Sequence, residues 1–231
     1  MKQIIALVNR KGGVLIDFDP QGNATTAFGI AKGNNLPTVY DVLIGQSSWK
    51  EATRGIIGSG MLGIIPASAD LSGAEVELVN TRNREYRLRD RLKGFEASYD
   101  FILLDCPPSL GLLTVNALAA AHGVMIPIQC EFYALEGLSQ VLNTMEIIKK
   151  SINRSLDMEG ILLTMYDQHS SSNQAIEQKV RHLFPKHTFA TVIPRDAILS
   201  EAPAMGRPGV WYHPWSQGAQ AYIQLTLEMQ D

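Results

Sequence analysis

The chain has 231 residues, 45% of them hydrophobic and 19% charged, with a formal net charge of −3 and two cysteines. That length is enough for one α/β domain with a buried core, or for two small ones, and the composition is that of an ordinary globular protein. The charge excludes a global attraction to nucleic acid, so any such binding must come from a local patch. Cys106 and Cys130 exclude a disulfide framework and a thiolate cluster, and their apolar neighbours read as those of buried thiols.

The elements follow in chain order. "QIIALVN" (3–9) is a largely apolar run of strand type. "RKGGV" (10–14) puts a lysine and two glycines directly after it. "LIDFDPQGNATT" (15–26) then ends a second apolar run with Asp17 and Asp19, and Asn23 to Thr26 are suited to cap a helix. "IAKGNNLP" (30–37) and "IIGSGMLG" (56–63) read as surface loops. Residues 73–95 space Val76, Val79, Tyr86, Leu88 and Leu92 as a helix would. Further strands are expected at "YDFILLD" (99–105), "GVMIPIQ" (123–129), "GILLTMY" (160–166) and "FATVIP" (189–194), and helices at 134–152, 171–184 and 216–230. Runs that are continuously apolar, rather than alternating, suit strands covered on both faces. Their alternation with helices implies βαβ units and a mostly parallel, doubly wound α/β sheet. No repeat or linker interrupts residues 1–231, so a single nucleotide-binding domain is expected. No apolar run reaches the roughly 20 residues of a membrane helix, and no cleavable leader is evident, so a cytoplasmic protein is expected.

Three stretches carry chemistry. Asp105 ends an apolar strand, where ligands of open α/β sheets bind, and an Asp there can hold a Mg²⁺-bound water beside phosphates. Alone, it reads equally well as a turn aspartate before Pro107 and Pro108. Glycines such as Gly12 and Gly13 let backbone N–H groups approach phosphate oxygens, and Lys11 would neutralise their charge. Alone, that fragment is also a simple tight turn. Asp19 has the residue type to orient water for phosphate hydrolysis, and otherwise belongs to a turn.

Taken in order, "NRKGGV", "LIDFDPQGNATT", "DCPPSLGLLTVNAL", "QCEFYALEGLSQVLNT", "GILLTMYD", "VIPRDAILSEAPAMGRP" and "GAQAYIQLTLEM" resemble the ParA-type partition ATPases, a deviant-Walker branch of the P-loop proteins, over nearly the whole chain. The resemblance implies ATP and Mg²⁺ as cofactors and an ATP-bound homodimer. It also implies nonspecific DNA binding on the nucleoid and a ParB-type partner that triggers hydrolysis. By the same resemblance Lys11 matches the signature lysine that crosses the dimer to the partner's phosphates, and Gly12 and Gly13 match the phosphate-loop glycines. Asp19 matches the aspartate that organises hydrolysis, and Asp105 the Walker B aspartate near Mg²⁺. Pro194 and Arg195 match the segment that lines the adenine pocket.

The chain departs from the pattern most at the phosphate loop, and also where Ile198, Trp215 and Gln217 stand in stretches that are often more basic in the family. The family reads KGGVGKTT, then a helix, before the strand that here begins at Val14 or Leu15. The lysine for the β/γ-phosphates and the threonine for Mg²⁺ are absent with that helix. Parallel neighbouring strands need a crossover of about a dozen residues. Residues 9–13 reach at most about 17 Å when extended, which is no more than one strand of roughly 17–20 Å. The first βαβ unit is therefore truncated. "IIALV" and "VLIDF" are expected not to share the family's parallel positions, and losing the helix should uncover apolar sheet surface at about 1.5–3 kcal/mol per large side chain. A ParA-like remnant or binding module without catalysis is the alternative. A MinD-type membrane switch ranks below both, because "LTLEMQD" is acidic and lacks a basic amphipathic helix.

Lys179, Arg181, Lys186, Arg195 and Arg207 are the cationic candidates for DNA, the first three reading more simply as a solvated helix face. His169, His182, His187 and His213 show no metal-ligand spacing. Trp211, Tyr212 and Trp215 form an aromatic cluster that reads as packing before it reads as a partner contact.

Overall fold

In the computed structural model, residues 12–33, 36–55 and 62–229 are described. The expected strand 3–9 and Lys11 therefore lie outside the described residues. Among the described residues there are seven strands: β1 (Gly13–Asp17), β2 (Arg54–Gly55), β3 (Leu62–Ile65), β4 (Phe101–Asp105), β5 (Gly123–Gln129), β6 (Asp157–Tyr166) and β7 (Thr188–Pro194). The helices are α1 (Asn23–Ala27), α2 (Val39–Ile44), α3 (Trp49–Ala52), α4 (Leu71–Glu77), α5 (Arg87–Leu92), α6 (Leu112–Ala120), α7 (Ala134–Ser151), α8 (Ser171–Leu183), α9 (Ala197–Glu201), α10 (Gly209–Tyr212) and α11 (Gln217–Glu228). Among the described residues all pairings are parallel except that of the short β2 with β3. The mostly parallel α/β class read from the sequence is the one observed.

The strands form two sheets, ordered β2-β3-β1-β4 and β5-β6-β7. "VLIDF" takes an inner position, paired on one side to β3 and on the other to β4, with Asp17 opposite Asp105. Among the described residues β4 pairs only with β1, and β5 only with β6. The fold thus gives the second apolar run a parallel place.

Side-chain alternation explains how the two faces differ. Val14, Ile16, Ile102, Leu104, Val124, Ile126, Ile128, Ile161 and Leu163 join one buried core with residues of α6 and α7. On the other face Met125, Leu162 and Ile193 pack with Leu225 of α11 in a smaller cluster. Leu15, Phe101 and Leu103, pointing the same way from β1 and β4, are only half-buried.

Two expectations are corrected. Residues 73–95 are not one helix: α4 stops at Glu77, Asn83 takes a left-handed φ of 57°, and a short 3-10 turn precedes α5. The buried stripe is Leu71, Ala74 and Leu78, which leaves Val76 and Val79 exposed. Of the expected loop 56–63, residues 56–61 lie outside the described residues, and Leu62 and Gly63 belong to β3 instead. Gly63 fits there because a Cβ would meet Thr53 at 3.0 Å.

Candidate functional site

Three carboxylates gather at the C-terminal edge of β1 and β4. Asp17 is fully buried, Asp19 is 3% exposed and Asp105 is 8% exposed. Asp17 and Asp105 are register partners at the ends of adjacent strands. The Phe18 N–H donates to the Asp105 carbonyl at 2.8 Å, carrying the ladder one step past β1. β1 itself ends at Asp17, so Asp19 stands in the turn that follows rather than on the strand.

That turn is self-supporting. Asp19 accepts from the Gln21 N–H at 2.9 Å, and its carbonyl accepts from the Gly22 N–H at 2.8 Å. Gly22 has a φ of 60°, the left-handed region that favours glycine, and it caps α1 in place of the expected Asn23 side chain. Thr25 serves the strand instead. Its N–H and its hydroxyl each donate to Asp17 Oδ2 at 2.6 Å, and its Oγ1 accepts from the Ala67 N–H at 2.9 Å. Burial pushes the Asp17 carboxyl above its ordinary range, and the two Thr25 bonds offset only part of that rise.

A cation the sequence placed well past the loop comes back to this edge. The Lys32 ammonium donates to the Gln21 carbonyl at 2.5 Å, on the exposed side of the turn. Sequence reasoning missed both Thr25 and Lys32, because each acts across a loop rather than at a motif spacing.

The glycines go elsewhere. Gly13 opens β1 opposite Phe101, and Gly12 is bonded to the start of β4. Its carbonyl accepts from the Asp100 N–H at 2.6 Å and its own N–H donates to the Asp100 carboxylate. Four and five strand steps of about 3.3 Å put Gly13 and Gly12 roughly 13 and 17 Å from Asp17, at the opposite edge. The structure therefore brings Asp19 and Asp105 together but does not bring Gly12 and Gly13 to them. Among the described residues no three His, Cys, Asp or Glu side chains converge as a metal site. The acidic edge suits a magnesium ion met through water. Of the groups a triphosphate needs, the described residues at this edge supply the carboxylates, while Gly12 and Gly13 lie at the other end of the strands.

Pro194 and Arg195 sit at the C-terminal end of β7. Pro194 is in register with Tyr166, and the Arg195 N–H donates to the Tyr166 carbonyl at 2.9 Å. The Arg195 guanidinium lies 3.9 Å from Glu131, both side chains well exposed. Of the other cations, Arg181 is occupied: it pairs with Glu177 at 2.9 Å and donates to the carbonyls of Phe189 and Ala190. The packing expected of the aromatic trio holds in part. Trp211 meets Phe28 edge-on at 6.2 Å, but Trp215 is 83% exposed. Both cysteines are buried, and burial raises the Cys130 thiol to about 11.

Comparison with known proteins follows this geometry closely. The AAA domain family matches residues 14–158, a match that starts just past the glycines. The chain is 44% identical over 248 aligned positions to "Chromosome partitioning protein ParA" of Myxococcus xanthus, covering 98% of this chain and 87% of that protein. It is 43% identical over 250 positions to "Sporulation initiation inhibitor protein Soj" of Bacillus subtilis, covering 99% and 98%. The chain belongs to the ParA/Soj family.

Among solved structures, this ParA-family chain superposes on cobyrinic acid a,c-diamide synthase from Mycobacterium smegmatis with bound ADP and magnesium. The TM-score is 0.79, at 32% identity, covering 93% of this chain and 80% of that one. The alignment with the Bacillus relative runs over 250 positions while this chain has 231 residues, so at least 19 positions of the relative have no counterpart here.

Proposed function

We propose that this ParA-family chain takes part in positioning a chromosome, plasmid or comparable cargo, with ATP and magnesium addressed to the C-terminal edge of the sheets. In this reading Asp105 holds a magnesium-bound water, Asp19 organises the attacking water, and Pro194 with Arg195 lies against the base. Lys11 belongs to the same reading, reaching a second copy in an ATP-dependent homodimer. Nonspecific DNA on the nucleoid and a ParB-type protein are its partners. The observation that carries the proposal is the pairing of Asp17 with Asp105, and of Asp19 beside them, at the edge where α/β sheets bind ligands.

The test is Mg-ATP binding by calorimetry, together with turnover, with and without DNA and a ParB-type partner. Binding together with turnover that DNA and partner raise, and that falls at least tenfold in Asp19→Ala, supports the proposal; a single catalytic group of this kind contributes about 10²–10⁴-fold. A second reading rests on one finding, the location of Gly12 and Gly13 at the far edge. It makes the chain a ParA-like binding module without hydrolysis. Partner or DNA binding with no turnover would select it.

Membrane attachment is not part of either reading. Among the described residues no helix is long and apolar enough to cross a membrane.

A further inference from the structure

Lys32 stands on the outer side of the Asp19 turn, and the short helix between them puts it there. The five residues of α1 extend about 7.5 Å. The chain turns after them at Gly29, whose φ is 72°. Three further residues are enough to cover that length again. Lys32 thus returns to the start of α1, where its ammonium donates to the Gln21 carbonyl at 2.5 Å. Its stem crosses Gly22: a Cβ there would stand 3.0 Å from Lys32 Cε and 3.3 Å from Nζ. Position 22 therefore calls for glycine twice, once for its left-handed backbone and once for the lysine lying on it.

Hydrogen bonds lead from that ammonium to the carboxylate through one residue. The Gln21 carbonyl shares a peptide group with the Gly22 N–H, which donates to the Asp19 carbonyl at 2.8 Å. The Gln21 N–H donates to Asp19 Oδ1 at 2.9 Å. A charged donor at the head of such a chain polarises it and strengthens the bonds that follow. The inner side of the turn is anchored in the core. Phe18 is fully buried, and Asp17, which accepts from the Asp19 N–H at 3.4 Å, is itself held by Thr25. The outer side faces solvent, with Gln21 and Lys32 both exposed. Among the described residues Lys32 enters no ion pair, so its charge is directed at this carbonyl.

We infer that Lys32 is a positioning residue. It latches the outer face of the turn and so fixes the Asp19 carboxylate at the sheet edge, while Thr25 and Asp17 fix the inner face. Its action runs through Asp19 rather than through contact with nucleotide. The inference rests on the role proposed for Asp19 above, and a misplacement of about 1 Å in a reacting group costs on the order of a hundredfold in rate.

Two measurements on the full chain test it. The first contains no nucleotide and follows amide exchange by NMR in Lys32→Met, which keeps the stem without the charge, and in Lys32→Arg, which restores a cationic donor. In Lys32→Met the Gln21 and Gly22 amides should exchange about tenfold faster or more, as expected for loss of a charged hydrogen bond. The Thr25 amide, bonded to buried Asp17, should change by a smaller factor, and Lys32→Arg should return the turn to the parent's rates. The second measurement is ATP turnover with DNA and a ParB-type partner. Lys32→Met should lower kcat about tenfold or more with KM unchanged, and Lys32→Arg should restore it. In an Asp19→Ala background Lys32→Met should change nothing further, because residues acting through one group are not additive. Unchanged exchange in Lys32→Met, failure of arginine to restore it, or an equal loss of turnover with and without Asp19 would overturn the inference. A parent that turns over no ATP would overturn the hydrolytic role of Asp19 instead, and exchange at the two amides would still decide whether Lys32 holds that carboxylate.

Discussion

Asp17 is fully buried, yet its acceptor Oδ2 takes both Thr25 donors. Replacing it separates charge from hydrogen bonding. Its native pKa is raised by burial above the usual 3.8, so the folded state holds the proton more tightly than the unfolded one. The stability this contributes is fully present below 3.8 and is lost as the pH rises through the native value. Asp17→Asn keeps an acceptor for Thr25 and carries no charge. Its melting temperature at pH 7 should exceed that of the parent, and the gap should close in scans at low pH. Asp17→Ala leaves the Thr25 N–H and hydroxyl without their acceptor and should cost about 1–3 kcal/mol in urea unfolding. Asp19 and Asp105 were legible as candidates because each ends an apolar run. Thr25 was not legible as the partner of Asp17, since nothing at a spacing of eight residues signals a bond made through a turn.

Elements that are long and evenly apolar were legible almost to the residue. β5 is the expected 123–129 and α7 covers 134–151 of the expected 134–152. The helix drawn over 73–95 failed because Val76 and Val79 mimic a stripe, while the chain turns at Asn83 to bury Leu88 and Leu92 instead. α11 shows how one side chain holds an element in place. The Glu228 carboxylate accepts from the Ala190 and Thr191 N–H groups of β7 at 2.5 and 2.9 Å. Burial alone would raise its pKa, but the bonds from Thr191 and Ala190 outweigh that and hold it below 4.5. Its contribution is present above 4.5 and is lost as the pH falls toward the native value. Glu228→Ala should therefore free the Ala190 and Thr191 amides. Hydrogen exchange at those two amides should rise at neutral pH, with a stability loss of about 0.5–1.5 kcal/mol, and the difference from the parent should shrink in acid.

At the scale of the molecule, at least 19 positions of the Bacillus relative have no counterpart in this chain. A version in which the absent positions are restored from the Bacillus relative should bury more apolar surface. Its urea midpoint should rise and its m-value should increase, because m follows the area exposed on unfolding. An unchanged m-value would mean that the added residues find no face to cover. A second long-range tie is a crossing of two backbones. Gly29 and Gly206, with φ of 72° and 63°, meet so closely that a Cβ on Gly206 would stand 2.8 Å from the Gly29 Cα. Gly206→Ala combines that clash with a left-handed backbone and should cost about 1–3 kcal/mol by denaturant titration. The sequence showed both glycines but not that they touch, since they are 177 positions apart.

That crossing gives the protein a built-in optical gauge. Next to it the Trp211 indole stands edge-on to Phe28, at the end of the short helix that follows the Asp19 turn, while Trp49 is shut in the core. Displacement of the acidic turn on loading with magnesium or nucleotide would move the ring that Trp211 leans on. Unlabelled protein would then report its own occupancy through a change in emission, and substituting Trp215 with phenylalanine would remove the solvent-facing background from the signal.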